Sequence, residues 1–111
     1  MMSGPYALGD RAVRWHTWRR RPGVYKLMMT PDGPVRYVGR SDIDVRARLM
    51  QHVAGGDYRF FWVAHESGAV SAFLRECRLW HRHRHTIDND QVHPARPRGC
   101  GDACPRCGYY G

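Results

Sequence analysis

The run Thr30-Pro31-Asp32-Gly33-Pro34 restricts this chain more than any other feature. Proline sets one backbone dihedral and glycine accepts a positive one, so the run reverses the chain tightly. Residues 24–30 read as a strand entering the reversal and 35–40 as a strand leaving it, which makes a β-hairpin. Side chains alternate along a strand. Tyr25 and Leu27 therefore share one face of the first, and Val35, Tyr37 and Gly39 one face of the second. The facing register is not legible, and whether the two tyrosines share a face stays open.

Pro22-Gly23 separates the hairpin from what precedes it. Beyond it, Asp42 or Asp44 caps a helix running to about residue 54, where Gly55-Gly56 stops it. Val45, Leu49 and Val53 form its apolar stripe, with Arg48 and His52 one turn apart beside it. Residues 58–64 are rich in aromatics and read as a third strand. Ser67-Gly68 begins a second helix to about residue 84, striped by Val70, Phe73, Leu74, Cys77 and Trp80, with Glu76 on the flank. The expected class is α+β: a small, three-stranded, mainly antiparallel sheet flanked by helices. A chain of 111 residues suits one domain with a modest core.

Charge points to a partner. There are 18 Lys plus Arg against 10 Asp plus Glu, a formal +8, and Lys26 is the sole lysine. Arginine's planar fork grips phosphate through two hydrogen bonds, so the balance predicts nucleic acid over a merely solvated basic surface. Residues 1–21 form a basic segment in which Trp15 and Trp18 sit among Arg11, Arg14, Arg19, Arg20 and Arg21. Such tryptophans either stack on bases or cover a core edge, and the second is the commoner use. No stretch is apolar enough for a membrane helix and no basic-then-apolar leader opens the chain, so a cytoplasmic protein without a membrane partner is expected.

Along the order strand, strand, helix, strand, helix lie Gly23-Val24-Tyr25, Tyr37-Val38-Gly39, Arg48 and Glu76. In these elements residues 22 to about 89 resemble the GIY-YIG nuclease superfamily, with Val for Ile in both tripeptides. The run Asp44-Val45-Arg46-Ala47-Arg48-Leu49 is similar to the family's arginine-bearing helix segment, and Arg48 falls on the functional arginine. His52 matches a histidine that many members carry. The run Ala72-Phe73-Leu74-Arg75-Glu76-Cys77-Arg78-Leu79 resembles the helix that presents the metal-binding glutamate. Asn89 resembles the asparagine that often closes the domain. Arg40 departs from the Lys or Ser that often follows the second tripeptide.

The resemblance implies a metal-dependent endonuclease that hydrolyses DNA phosphodiesters, structure-specific or nicking, with RNA as a further substrate class. It implies a catalytic domain over 22–90 with Tyr25, Tyr37, Arg48, His52 and Glu76 in the catalytic set. Glu76 would hold one Mg²⁺ or Mn²⁺, because a hard cation favours carboxylate oxygen. Arg48 would grip the scissile phosphate. Tyr25 would position or deprotonate water, with Tyr37 hydrogen-bonded nearby. His52 would contact DNA, assist the water or fill space. Arg40, Arg46 and Asn89 are expected to bind substrate. Glu66 is the rival to Glu76 but fits the helix pattern badly. So short a chain leaves no room for a separate recognition domain, so long-site specificity calls for a protein partner.

The segment 91–111 is poor in apolar residues and carries Cys100, Cys104 and Cys107. Cys-x-x-Cys-Gly resembles half of a zinc ribbon, and a structural zinc takes four Cys or His ligands. Cys100, Cys104, Cys107 and His93 form the expected set, with Cys77 or another histidine as alternatives to His93. The run His81-Arg82-His83-Arg84-His85 reads as a solvated, basic helix end. The competing reading of the whole is a non-catalytic, zinc-containing nucleic-acid-binding module on a nuclease-like fold. A weaker third is a protein-interaction domain with a docking tail.

Overall fold

Alternation buries both faces of the sheet. In the computed structural model, which describes residues 2–89 and 93–106, β2 (Gly23–Met28) has Val24 and Met28 in one cluster and Tyr25 and Leu27 in another. The first cluster packs against α3 (Ala69–His83) through Ala72 and Leu79. The second packs against α1 (Asp10–His16) and α2 (Val45–Gly55) through Val13, Val45 and Leu49. The molecule is thus an α+β domain in layers, with helices on both sides of a four-stranded antiparallel sheet whose order is β1 (Ser3–Ala7), β4 (Phe60–His65), β2 and β3 (Val35–Ser41).

The expected hairpin is present as β2 and β3 (Val35–Ser41), closed by a turn in which Gly33 N–H donates to Thr30 O at 3.3 Å. The third expected strand is β4 (Phe60–His65), which pairs with β2 rather than with the edge strand β3. A fourth strand, β1 (Ser3–Ala7), corrects the expected count of three. It lies in the segment read only as basic and aromatic, and Gly4-Pro5 masks its extended character. Pairing along β4 supplies what local propensity lacks.

Local chemistry sets the ends of α2. The Asp44 carboxylate accepts from Ala47 N–H at 3.1 Å, and Gly56, at φ 73°, closes the other end with its N–H on His52 O. On α3 the buried face is Ala72, Phe73, Glu76, Cys77 and Leu79. The expected stripe is thus rotated: Val70 is exposed, and Glu76 is inside rather than on the flank. No helix among the described residues is long and apolar enough to cross a membrane.

Candidate active site and metal cluster

Register settles the relation of the tyrosines. Tyr25 pairs with Gly39 and Leu27 with Tyr37, so both phenols lie on the α2 face, diagonal to each other. Their rings stack with centroids 6.2 Å apart, rather than meeting through a hydrogen bond as the resemblance implied. A Cβ at Gly39 would lie 2.5 Å from both Cζ and Oη of Tyr25. The glycine is there because the phenol occupies that space. Gly23 serves similarly on β2, where a Cβ would stand 2.7 Å from Ala64 O and 3.0 Å from Val45 Cγ1, so α2 can start close against the sheet.

Tyr25 has no accessible surface. Its hydroxyl lies 2.9 Å from His52 Nε2, with the Arg48 guanidinium near enough for its charge to act on it. In that bond the phenol is the donor when Nε2 is the unprotonated nitrogen of the imidazole. Burial, reinforced by neighbouring Tyr37, pushes the Tyr25 phenol well above its ordinary range, and Arg48 offsets only part of that. Burial, with help from the Arg48 charge, lowers the His52 pKa from its ordinary 6.5. At neutral pH the pair is therefore a neutral phenol beside a neutral imidazole. Tyr37 and Tyr58 pack edge-on against the same His52 ring, at 4.8 and 6.2 Å between centroids.

Glu76 reaches the site from the other face of the sheet. Its carboxylate is 3% exposed, and Oε1 accepts from Arg40 Nη1 at 2.6 Å. Arg40 Nε donates in turn to Asp42 Oδ1 at 2.7 Å, and the guanidinium lies 5.3 Å above the Phe73 ring. Burial raises the Glu76 pKa against the pull of Arg40. Tyr37, Gly39, Arg40, Asp42, Arg48, Glu76 and Ala95 line one open concavity of about 300 Å³ around the C-terminal end of β3. Because β3 is the edge strand, one concavity can wrap it and gather groups from both helical layers. Glu66, the rival carboxylate, pairs with Arg75 at 2.7 Å and does not line this space.

Two residues expected to bind substrate are engaged elsewhere. Arg46 donates from Nε to Thr17 Oγ1 at 3.0 Å, and from Nη2 to Arg14 O at 2.9 Å and to Thr17 O. It braces α2 against the end of α1. Asn89 clamps the edge of β3: Nδ2 donates to Val38 O at 2.7 Å, and Oδ1 accepts from Val38 N–H at 3.1 Å. Its amide stands in for a neighbouring strand and blunts an open edge. Arg40, by contrast, is in the concavity.

The tryptophans do not cover a core edge. Trp15 is 81% and Trp18 63% exposed. α1 ends at His16, so the two do not share a helix face as their spacing suggested. Trp18 stacks on His65 at 5.6 Å, with the Arg21 guanidinium 5.1 Å from the indole centroid. Arg20, Pro22, Asp42, Ile43 and Asp44 line a shallow depression, and Asp42 also borders the concavity, so the basic segment is continuous with the site.

Towards the C-terminus, Cys77, His93 and Cys104 bring their ligand atoms within 4.8 Å of one another, an arrangement that could hold a metal ion. Cys77 is the donor that replaces Cys100 in the expected set. The sequence offered Cys77 as one of the alternatives to His93, beside its place in the apolar stripe of α3. Cys100 packs against the cluster, with its sulfur accepting from Asp102 N–H at 3.4 Å, and Cys107 lies outside the described residues. Burial, with Cys104 alongside, raises the Cys77 thiol far above its usual range, so without a metal it stays protonated. The histidine run is not wholly a solvated helix end: the His81 ring packs against Trp80 and His93, with centroids 5.1 and 5.5 Å away. No protein-family model, curated protein or solved structure matches the chain.

Proposed function

We propose that this protein is a metal-dependent endonuclease of the GIY-YIG type acting on DNA. The observation that supports it most directly is the meeting of Arg48, Tyr37 and Glu76 around one concavity, with the Tyr25–His52 pair directly beneath Gly39. Hydrolysis of a phosphodiester needs a cationic grip on the phosphate, a proton acceptor for water and neutralisation of charge that grows in the transition state. The residues present divide that work.

Arg48 binds the scissile phosphate. Arg48 lines the concavity beside the buried Tyr25 hydroxyl, and a phosphate that draws the guanidinium away would open a lone pair on that oxygen to water. The lone pair takes a proton from water as the phenol passes its own to His52 Nε2, leaving imidazolium and an attacking hydroxide oxygen. The neutral state of His52 suits it to receive that proton. Tyr37 and Tyr58 confine the His52 ring so that Nε2 stays aimed at Tyr25.

The donor set at Glu76 fits a hard divalent ion. A buried carboxylate faces a polar concavity that Asp42 also lines, and only oxygen donors are offered there. Mg²⁺ or Mn²⁺ bound at Glu76 would supply charge neutralisation at the phosphate. Arg40 orients the carboxylate and favours its ionised form against the opposing effect of burial. The cluster at Cys77, His93 and Cys104 has the softer donors suited to zinc as a structural ion.

Cleavage of plasmid and branched DNA with Mg²⁺ tests this, comparing wild type with Glu76→Gln, which keeps a hydrogen bond to Arg40 and loses the charge. Cutting should fall by about 100-fold or more while DNA binding persists; equal cutting would remove Glu76 from the assignment. The non-catalytic alternative draws on the Glu76–Arg40 ion pair, which occupies one carboxylate oxygen. It predicts binding with no cutting by either form.

A further inference from the structure

We infer that Cys77, His93 and Cys104 hold a zinc ion that rivets the C-terminal segment to α3, and that this rivet builds one wall of the catalytic concavity. The term catalytic rests on the endonuclease reading; the rivet itself does not.

Zinc bonds run about 2.3 Å to sulfur and 2.0–2.1 Å to nitrogen, which in a tetrahedron spaces ligands by less than about 4 Å. Three donors already gathered within 4.8 Å need little movement to close on one ion. His93 is prepared for the task. Its Nδ1 lies 3.0 Å from Pro94 O, and a carbonyl only accepts, so Nδ1 carries the proton and Nε2 presents a lone pair. An imidazole whose other nitrogen is tied to a carbonyl is the usual support for a metal ligand.

The cluster sits where it can influence the site. Cys77 follows Glu76 directly on α3. Phe73 shares the buried cluster with Cys77 and Cys104, and Arg40, the partner of Glu76, lies over its ring. Ala95, two residues beyond His93, lines the concavity with Glu76, Arg40 and Arg48. Residues 93–106 contribute few apolar side chains, so a metal cross-link supplies the folding free energy that their own burial lacks.

The test uses the whole protein in zinc-loaded, zinc-stripped and cobalt-substituted forms, all assayed with added Mg²⁺. The cobalt form should show thiolate-to-metal charge-transfer absorption that weakens in both Cys77→Ser and Cys104→Ser, with circular dichroism confirming that at least one variant folds. Stripping zinc should speed trypsin cleavage between Arg98 and Gly99 at least ten-fold and slow DNA cutting at least ten-fold, both reversed by zinc. An unchanged metal content and spectrum in a folded variant overturns the ligand assignment. Equal trypsin rates, or equal cutting, with and without zinc overturn the wall. A metal-dependent spectrum and trypsin protection in a protein that cuts no DNA in either form would leave the rivet standing and sink the endonuclease reading.

Discussion

The Tyr25 hydroxyl and His52 Nε2 share a hydrogen bond of 2.9 Å, joining the third residue of the hairpin's first strand to the last turn of α2. Arg48, one turn earlier on that helix, stands near enough for its charge to act on the same oxygen. A fully buried phenol therefore ties together the proposed phosphate grip and the proposed proton acceptor.

Tyr25→Phe tests that arrangement. The ring and its packing remain while the hydroxyl is lost, leaving His52 Nε2 without that partner. Stability should fall by about 1–3 kcal/mol, and cutting should fall by about 100-fold or more. Thermal unfolding and single-turnover cleavage separate the two; an unchanged cleavage rate would show that Tyr25 is ordinary core.

Gly39→Ala places a methyl where Tyr25 already stands, 2.5 Å from its hydroxyl oxygen. Neither atom has room to retreat, since the ring is buried. Overpacking of this kind costs about 1–3 kcal/mol, and the displaced hydroxyl should disrupt the His52 contact. Denaturant melts and the His52 imidazole NMR signals report on each.

Arg46→Ala should act on stability alone. Its three hydrogen bonds run to Thr17 and to the Arg14 carbonyl. Their loss should cost about 1–3 kcal/mol, with DNA affinity unchanged. A loss of affinity without loss of stability would restore the substrate-binding role expected from sequence.

Stability should decline in mild acid. Burial lowers the pKa of His52, His65 and His83 from the ordinary 6.5. Below 6.5 the unfolded chain takes up protons that the folded chain refuses, so stability is full above 6.5 and is lost as pH falls from there through the folded values. Cutting should fall in the same window as His52 protonates and can no longer accept from Tyr25. His52→Gln should flatten part of the stability slope in urea melts followed from pH 7.5 to 5.

Trp15 and Trp18 are exposed indoles amid arginines, so single-stranded oligonucleotides should quench their fluorescence in a salt-dependent way. Trp15→Ala or Trp18→Ala should weaken binding by about 1–3 kcal/mol with the fold intact. Unchanged titration curves for both variants would assign the patch to some other use.

Much of this was legible in the chain, and the reason is locality. Turn chemistry at Thr30–Pro34, the Asp44 cap, the Gly56 stop and period-two alternation act within a few residues, so the hairpin, both longer helices and β4 could be read directly. The positions of Tyr25, Tyr37, Arg48, His52 and Glu76 along those elements followed as well. What could not be read depends on residues far apart in sequence. β1 forms because β4 offers it an edge. Tyr25 faces Gly39 because of the register, Glu76 turns inward to meet Arg40, and Arg46 and Asn89 are drawn to carbonyls that their neighbours do not reveal. Cys77 was one alternative ligand among several until the tail carried His93 and Cys104 to it. Short-range sterics and hydrogen bonding wrote the elements into the sequence. Partners in a site are chosen by packing over long range, and only the folded chain brings them within reach.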